Sequence, residues 1–260
     1  MEQMQIDDLG DALYLAMRER RMLSPLTETY PELTIEDAYA ISLRFLANRM
    51  QAGEKLIGKK IGVTSDAVMD MLGVRQPDFG FMTDAMRHDE EMAISGALIQ
   101  PRAEGEIAFL LNKDLQGPGV TNEDVLAATE AVMPCFEVVD SRVKDWQIKI
   151  QDTIADNASC GWFALNEAAA VDPAAVDLVN CQMTVRKNGS VISTGTGAAA
   201  MGSPVNCITW LANTLGALGI TLERGDIVLS GSLVPLEPVA AGDEMTLHID
   251  GMGDCAVAFT

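Results

Sequence analysis

Two periodicities of apolar residues divide this chain near residue 55. Residues 6–20 and 34–53 carry apolar positions at helical spacing, and the second stretch opens with Thr34 and Asp37 at the spacing of a capping box. From residue 56 onward, short strand-like runs are separated by glycine, proline and asparagine. The pattern predicts a small helical N-terminal region over residues 1–55 and a β-rich domain over residues 56–260.

Within the second part, individual elements can be predicted from apolar runs and from turn residues. Residues 183–194 form an expected hairpin that turns at Asn188-Gly189. The segment 74–90, which contains Pro77 and Gly80, is expected to be a long loop. Further helices are expected at residues 65–73, 121–132 and 203–219. Further strands are expected at residues 56–64, 98–111, 133–140, 225–231, 244–249 and 255–259.

Composition places the chain among ordinary globular proteins, with 48% apolar and 22% charged residues. No apolar run approaches the roughly 20 residues that span a bilayer, and the acidic N-terminus differs from a secretory signal. We therefore expect a cytoplasmic protein with no membrane partner. The five cysteines form no CxxC pair, so a zinc site and a disulfide framework are not expected.

The chain is strongly acidic, with 38 acidic against 18 basic residues and a formal net charge of −20. Nucleic-acid binding requires a basic surface, and the sequence contains none. The simplest interpretation of the charge is solubility. An anionic substrate would have to meet a metal ion or local lysine and arginine residues inside its pocket.

The segment Arg102-Ala103-Glu104-Gly105-Glu106 is the sharpest local signal of chemistry. In a strand, Arg102, Glu104 and Glu106 share one face, and the two carboxylates lie about 7 Å apart at a rise of roughly 3.3 Å per residue. These residues could form an exposed polar face on an edge strand. The apolar run that follows, IAFLL, instead favours a strand that enters the core where the carboxylates lie.

Glu137 lies within another apolar strand, where a carboxylate is costly unless it is paired or binds a cation. A core salt bridge, for example with Arg142, is one interpretation. The other is a metal site made by Glu104, Glu106 and Glu137, whose oxygen ligands suit Mg²⁺ or Mn²⁺ better than zinc or copper.

Basic groups for catalysis are few. The two histidines, His88 and His248, have no neighbouring motif partner, so a lysine, a carboxylate or metal-bound water is the expected acid or base. Lys59 and Lys60 fall on opposite faces of a predicted strand. One of them could point inward near the carboxylates, or both could be solvated.

Several motifs together resemble the 2-oxopent-4-enoate hydratases of catechol meta-cleavage pathways, which belong to the fumarylacetoacetate hydrolase superfamily. The resemblance runs from about residue 6 to the C-terminus. The motifs are GKKIGVTS (58–65), QPDFG (76–80), QPRAEGEIAF (100–109), FEVVDSR (136–142), ADNAS (155–159) and GSLVPLEPV (231–239).

This resemblance implies an α+β fold, in which a mixed β-roll body forms the catalytic domain behind the helical N-terminal region. It implies that a bound Mg²⁺ or Mn²⁺ holds a small 2-hydroxydienoate and that water is added to give 4-hydroxy-2-oxopentanoate. The residues that match the family's functional positions are Glu104, Glu106 and Glu137 for the metal and Lys60 and Asp78 for catalysis. Further candidates for binding the substrate are Arg102, which shares the strand face of the glutamates, and Asn157 and Ser159 of the ADNAS motif.

Two alternatives remain open at this stage. A 2-oxo-3-hexenedioate (4-oxalocrotonate) decarboxylase resembles the hydratases in fold and metal site, but GKKIG, AEGE and GSLVPLEP favour the hydratase. The chain could also be mainly a structural subunit, because such hydratases associate with the decarboxylase. Association with that decarboxylase and a homo-oligomeric state are the expected partnerships.

Overall fold

The computed structural model describes residues 1–65, 69–70 and 74–260. Three helices occupy most of its first 51 residues, and its first named strand begins at Leu56. The helices with described bounds are α1 (Gln3–Glu19), α2 (Leu26–Thr29), α3 (Ile35–Gln51), α4 (Asn122–Ala128), α5 (Ile150–Ala155) and α6 (Pro204–Ala217).

The strands form two sheets. Their bounds are β1 (Leu56–Gly62), β2 (Asp78–Thr83), β3 (Arg87–His88), β4 (Glu91–Met92), β5 (Pro101–Leu111), β6 (Thr129–Asp140), β7 (Trp162–Leu165), β8 (Gln182–Lys187), β9 (Ser190–Thr196), β10 (Ile227–Leu229), β11 (Glu237–Pro238), β12 (Glu244–Ile249) and β13 (Gly253–Phe259). The larger sheet has the order β2-β1-β10-β5-β6-β7-β3, and β11 pairs with β5. The smaller sheet has the order β4-β13-β12-β8-β9. This mixed architecture confirms the expected α+β fold.

The two sheets share one apolar core, and β5 lies at its centre. A Cβ atom on Gly105 would lie 2.6 Å from Met183 Sδ and 3.1 Å from Leu247 Cδ2, two side chains of the smaller sheet. Glycine at this position therefore allows the smaller sheet to approach one face of β5 closely. The other face of β5 carries the glutamates.

The N-terminal helices have a core of their own, which they share with α5. Ile41 and Phe45 of α3 pack with Ile150 and Ile154 of α5. The division at residue 55 into two domains stays a prediction, because the N-terminal helices pack against α5, which lies in the middle of the chain.

Most predicted elements are confirmed, and two segments differ. The segment 74–90 is not a long loop, because Asp78–Thr83 forms β2 and pairs antiparallel with β1. The helix expected to run to residue 132 ends at Ala128, where β6 begins. The helix predicted at residues 65–73 falls mainly on residues 66–68 and 71–73, which lie outside the described residues.

Two expectations from composition can be compared with the fold. All five cysteines are free and buried, as expected. Among the described helices, no segment has both the length and the apolar character needed to cross a membrane.

Candidate functional site

Three glutamates converge at the middle of the β5–β6 strand pair. Glu104 and Glu106 point to one face of β5 because side chains two residues apart in a strand share a face. In the antiparallel register, Glu104 lies directly opposite Glu137. One carboxylate oxygen from each of the three residues lies within 4.8 Å of the other two. We refer to Glu104, Glu106 and Glu137 as the carboxylate cluster.

The carboxylate cluster is withdrawn from solvent and short of hydrogen-bond donors. Glu106 is 0% exposed and Glu137 is 1% exposed. Gly231 N donates a 2.8 Å hydrogen bond to Glu106 Oε2. Among the described residues, Glu106 Oε1 and Glu137 Oε2 have no hydrogen-bond partner, and the contact of Glu137 Oε1 is an ion pair with Lys60. Buried oxygens of this kind need a proton or a cation to offset their lost hydration.

Burial also changes the acidity of the cluster. It raises the pKa of Glu104 to about 8, and repulsion from Glu137 acts in the same direction. Burial and the two neighbouring carboxylates raise the pKa of Glu106 well above its ordinary range. Burial raises the pKa of Glu137 as well, although Lys60 opposes this effect. The raised pKa values mean that the carboxylate cluster is stabilised by bound protons or by positive charge close to it.

Lys60 is the positive group that the fold itself supplies. Its ammonium lies 3.2 Å from Glu137 Oε1, and the side chain is buried. Burial alone lowers the pKa of Lys60, but the nearby carboxylates of Glu137 and Asp78 outweigh it, so the pKa is raised. Lys60 is therefore a protonated, buried ammonium group.

The neighbouring lysine is buried too, on the opposite face of β1. Lys59 forms an ion pair with Asp226 and donates to the carbonyl of Thr221 at 3.3 Å. The alternative in which both lysines are solvated is therefore wrong. Side chains of adjacent residues in a strand point to opposite faces, so the burial of both lysines shows that both faces of β1 are covered here.

Asp78 stands beside Lys60 at the start of β2. Thr153 of α5 donates a 3.3 Å hydrogen bond from Oγ1 to Asp78 Oδ2, and among the described residues Oδ1 has no hydrogen-bond partner. A Cβ atom on Gly62 would lie only 2.3 Å from Asp78 Oδ1 and 3.4 Å from Lys60 Nζ. Glycine at residue 62 therefore leaves the space that the carboxyl group occupies. Burial raises the pKa of Asp78.

These groups open into a cavity of about 580 Å³, a size typical of small-molecule sites. Polar side chains that line it include Lys60, Asp78, Glu104, Arg102 and Ser159. The Arg102 guanidinium lies 4.7 Å from the centre of the Trp146 ring, a cation–π distance. The structure thus places Arg102 next to the carboxylates, as the shared strand face predicts.

Of the two residues proposed from ADNAS, only Ser159 lines this cavity. Asn157 instead accepts a hydrogen bond from Phe81 N at 2.8 Å and donates one to Phe81 O at 2.9 Å. Its side chain therefore holds the backbone of β2 in place. The core salt bridge that was one interpretation of Glu137 does form, but its partner is Lys60 at 3.2 Å rather than Arg142, which pairs with Asp156 at 2.5 Å.

Sequence reasoning missed Thr153, Trp146 and the segment 232–236, all of which line the cavity. The position of Thr153 inside α5 could not reveal a contact with Asp78, which is 75 residues away along the chain. A detectable signal did exist for the segment, since LVPL is an apolar run inside a loop.

The residues of the cluster fit a divalent cation. Three clustered carboxylates, two of which have oxygens without a hydrogen-bond partner among the described residues, make a hard, anionic ligand set of the kind that Mg²⁺ and Mn²⁺ prefer. The lysine ammonium compensates only one of these charges.

Comparisons with known proteins agree with this geometry. The family model described as fumarylacetoacetate (FAA) hydrolase C-terminal matches residues 69–260. The chain is 58% identical over 258 residues to a 2-hydroxyhexa-2,4-dienoate hydratase from Comamonas testosteroni, covering 98% of this chain and 97% of the relative. It is 65% identical over 222 residues to a 2-hydroxypent-2,4-dienoate hydratase from Pseudomonas putida, covering 85% of this chain and 100% of the relative.

Among solved structures, the 4-oxalocrotonate decarboxylase from Pseudomonas putida G7, complexed with magnesium and adipate, is similar with a TM-score of 0.96. The sequences are 31% identical, and the match covers 100% of this chain and 99% of that chain.

Proposed function

The chain belongs to the fumarylacetoacetate hydrolase family, and from that premise we propose that it is a metal-dependent hydratase of short 2-hydroxydienoates. The proposed reaction converts 2-hydroxypenta-2,4-dienoate and water into 4-hydroxy-2-oxopentanoate. The observation that carries the proposal is the buried carboxylate cluster beside Lys60 and Asp78 in one cavity. The identities of 58% and 65% to hydratases support this reaction.

Glu104, Glu106 and Glu137 are the proposed holders of a divalent cation, Mg²⁺ or Mn²⁺. When bound, such an ion supplies Lewis-acid stabilisation of negative charge on the oxygens of a 2-oxo acid. The hydrogen bond from Gly231 N to Glu106 Oε2 fixes one carboxylate in a defined orientation for that purpose.

Arg102 is proposed to orient the anionic substrate. It lies on the cavity wall, and its guanidinium carbon is 4.7 Å from the centre of the Trp146 ring. A planar guanidinium recognises a carboxylate with two parallel hydrogen bonds. Among the described residues that line the cavity, Arg102 and Lys60 are the cations, and Lys60 already pairs with Glu137. Ser159 is a further proposed hydrogen-bonding group at the same wall.

Proton transfers complete the proposed reaction in two stages. First, the 2-hydroxyl group loses a proton while C5 gains one, which gives the conjugated 2-oxo-3-pentenoate. Water then adds, so that its oxygen bonds to C4 and a proton is delivered to C3. Asp78, whose pKa is raised, is suited to take a proton from water. Lys60, which the neighbouring carboxylates keep protonated, is proposed to hold the substrate carboxylate or to assist the proton transfer from beside Asp78.

Decarboxylation of 2-oxo-3-hexenedioate is the second candidate function, because the solved decarboxylase has almost the same fold. The hydratase reading is favoured by the higher identities to the named hydratases. The decarboxylase would also require a place for a second carboxylate, which the hydratase does not.

The direct test follows the ultraviolet absorbance of freshly prepared 2-hydroxypenta-2,4-dienoate with purified protein and Mg²⁺. We expect rapid loss of absorbance and formation of 4-hydroxy-2-oxopentanoate, both stopped by a chelator. Lys60→Met and Asp78→Asn should each lower kcat by roughly 100-fold or more, in the range expected for loss of an acid or base. No metal-dependent loss by the wild type would refute the hydratase proposal, and release of CO₂ from 2-oxo-3-hexenedioate would favour the decarboxylase.

We also propose that the protein forms a homo-oligomer and associates with a 4-oxalocrotonate decarboxylase. The chemical reason is that the dienol ketonises in water, so direct transfer between sites would protect it. Sedimentation of the protein alone and mixed with such a decarboxylase tests both points. A monomer that does not co-sediment would contradict them.

A further inference from the structure

The strand that carries Asp78 lies at the edge of the larger sheet. β2 comes first in the strand order, so β1 is its one strand neighbour among the described strands. At its outer edge, the Asn157 side chain accepts a hydrogen bond from the N–H of Phe81 and donates one to the C=O of the same residue. An edge strand has fewer backbone hydrogen bonds to hold it than a central strand. The position of Asp78 therefore depends on contacts beyond the sheet.

The two faces of β2 have different neighbours. Because side chains alternate along a strand, Asp78 and Phe79 point to opposite faces. Asp78 lines the cavity, whereas Phe79 is buried in the apolar core of the sheets. Tyr39 of α3 stacks on the Phe79 ring, with the ring centroids 4.3 Å apart and the planes inclined by 12°. The N-terminal helical region thus supports β2 from the side opposite the cavity.

Arg49 of the same helix contacts the other end of β2. Its Nη2 donates to Thr83 Oγ1 at 3.2 Å, and its Nε donates to Glu54 Oε2 at 2.7 Å. The Thr83 hydroxyl in turn donates to Glu54. Arg49 and Thr83 are both buried, so water competes little with these bonds. A charge-assisted network of this kind fixes the end of the strand.

The spacing of the two contacts matches the geometry of the two elements. Tyr39 and Arg49 are ten residues apart, which is about 15 Å along a helix at 1.5 Å per residue. Phe79 and Thr83 are four residues apart, which is about 13 Å along a strand at roughly 3.3 Å per residue. α3 therefore runs alongside β2 and holds it at both ends.

The aromatic ring of Tyr39, rather than an ionised hydroxyl group, makes the supporting contact. Burial and the nearby Asp78 carboxylate both raise the pKa of Tyr39, so the side chain is neutral at physiological pH. Tyr39 is not among the described residues that line the cavity. It therefore acts on the reaction through β2 and not by contact with the substrate.

We infer that Tyr39 is a positioning residue for Asp78 and that Arg49 reinforces it at the far end of β2. The N-terminal helical region is therefore part of the catalytic apparatus and not only a support for folding. The inference rests on the proposed function, because that function has Asp78 take a proton from water. A displacement of about 1 Å in such a group can lower a rate about 100-fold.

Substitutions of Tyr39 test the inference in steady-state kinetics. Tyr39→Leu removes the stacked ring, so kcat for 2-hydroxypenta-2,4-dienoate should fall at least about tenfold. The KM and the Kd of Mg²⁺ should change less than about threefold, because the carboxylate cluster lies on β5 and β6. Tyr39→Phe keeps the stacked ring and should restore kcat to within about threefold of the wild type. An unchanged kcat in Tyr39→Leu, or an equal loss in Tyr39→Phe, would overturn the inference.

Tyr14→Leu is the matched control for the loss of an aromatic ring. Tyr14 is also half-buried against the N-terminal helical core, where its ring meets Phe45 edge-on at 6.4 Å. Both leucine variants should lose thermal stability, but Tyr14→Leu should retain kcat within about threefold. Equal losses of kcat in the two variants would show a general effect of the helical core and would contradict a specific role of Tyr39.

Hydrogen exchange supplies a readout that does not depend on turnover. In Tyr39→Leu the amides of residues 78–83 should exchange at least about threefold faster, whereas those of β5 and β6 should be unchanged. Thr83→Val removes the acceptor for Arg49 with little change in volume, so it should loosen the other end of β2 and decides the point if Tyr39→Leu does not fold. Unchanged exchange in β2 would overturn the inference. Faster exchange in β2 together with no hydration of the dienoate by the wild type would refute the hydratase and retain the role of Tyr39 in holding β2.

Discussion

Replacing Glu106 by glutamine removes one negative charge from the carboxylate cluster and preserves the shape of the side chain. The glutamine oxygen can still accept the hydrogen bond from Gly231 N, and its amide can donate to a neighbouring carboxylate. We expect two opposite effects from this single change. The metal-free protein should become more stable, and the affinity for Mg²⁺ should fall.

The gain in stability follows from the raised pKa of Glu106. Because the folded state binds its proton more tightly than the unfolded state, stability falls as pH rises above the ordinary value of 4.5. Above neutral pH, glutamine removes this penalty, which is of order 1–3 kcal/mol for a buried group without a partner. At about 2–4 °C per kcal/mol for a chain of this size, Tm of the metal-free variant should rise by roughly 2–10 °C.

The loss of metal affinity can also be expressed as a change in the free energy of unfolding. At free Mg²⁺ of about 100 times Kd, the wild type gains about 2.7 kcal/mol of stability. Loss of a supporting group near a metal typically lowers affinity 10–100-fold, so loss of a charged ligand should reach at least about 100-fold. The variant would then gain only about 0.4 kcal/mol at the same concentration.

Differential scanning fluorimetry at about pH 8, with chelator or with Mg²⁺, measures both effects, and titration calorimetry gives Kd. Glu244→Gln, an exposed glutamate on β12, is the control and should change neither quantity. The reasoning fails if Glu106→Gln binds Mg²⁺ as tightly as the wild type, or if its metal-free form is the less stable of the two.

Three further substitutions test the surroundings of the cluster. Thr153→Val removes a hydrogen bond that lowers the pKa of Asp78. In steady-state kinetics kcat should therefore fall roughly tenfold, and the acid limb of the pH profile of kcat should move to higher pH. An unchanged pH profile would exclude this positioning role of Thr153. Gly62→Ala places a methyl group where Asp78 Oδ1 lies, so steady-state kinetics should show loss of kcat while circular dichroism stays native. Ala158→Gly relieves a left-handed φ of 50° at the cavity wall and should raise Tm by about 2–4 °C; a lower Tm would show that no strain is stored there.

Sequence alone could bring Glu104 and Glu106 together, because the period of a strand is a local property. Their contact with Glu137 depends on the register of β5 against β6, which pairs residues 33 positions apart. Local spacing does not contain that register. The resemblance to a known family supported the grouping of the three glutamates, and the strand pairing explains that grouping physically.

The wrong prediction of a long loop at residues 74–90, where β2 forms, has a local cause. Pro77 and Gly80 are ordinary loop signals, so Asp78–Thr83 did not resemble a strand. In the structure, a Cβ atom on Gly80 would lie 2.5 Å from Asn157 O. The glycine therefore serves a close backbone approach inside a strand, a role that its sequence neighbours do not reveal.

The burial of Lys59 and Lys60 was only half predictable for a similar reason. Alternation correctly separates their faces, but whether a charged face is solvated depends on partners elsewhere. Those partners are Asp226, which is 167 residues away along the chain, and Glu137. Buried lysines therefore become interpretable only when the opposing carboxylates are known.

The charges around the cavity link folding to function. Taken together with the buried Lys60, the four carboxylates of Glu104, Glu106, Glu137 and Asp78 would carry a formal charge of −3 when all are ionised. A divalent cation would reduce this to −1, whereas without one the protein must take up protons or lose stability. The residues that weaken the metal-free fold are therefore the ones that give the site its affinity for a cation. Apolar replacements in the cluster would raise stability and remove that affinity, which is the expected trade-off at a site built for binding rather than for folding.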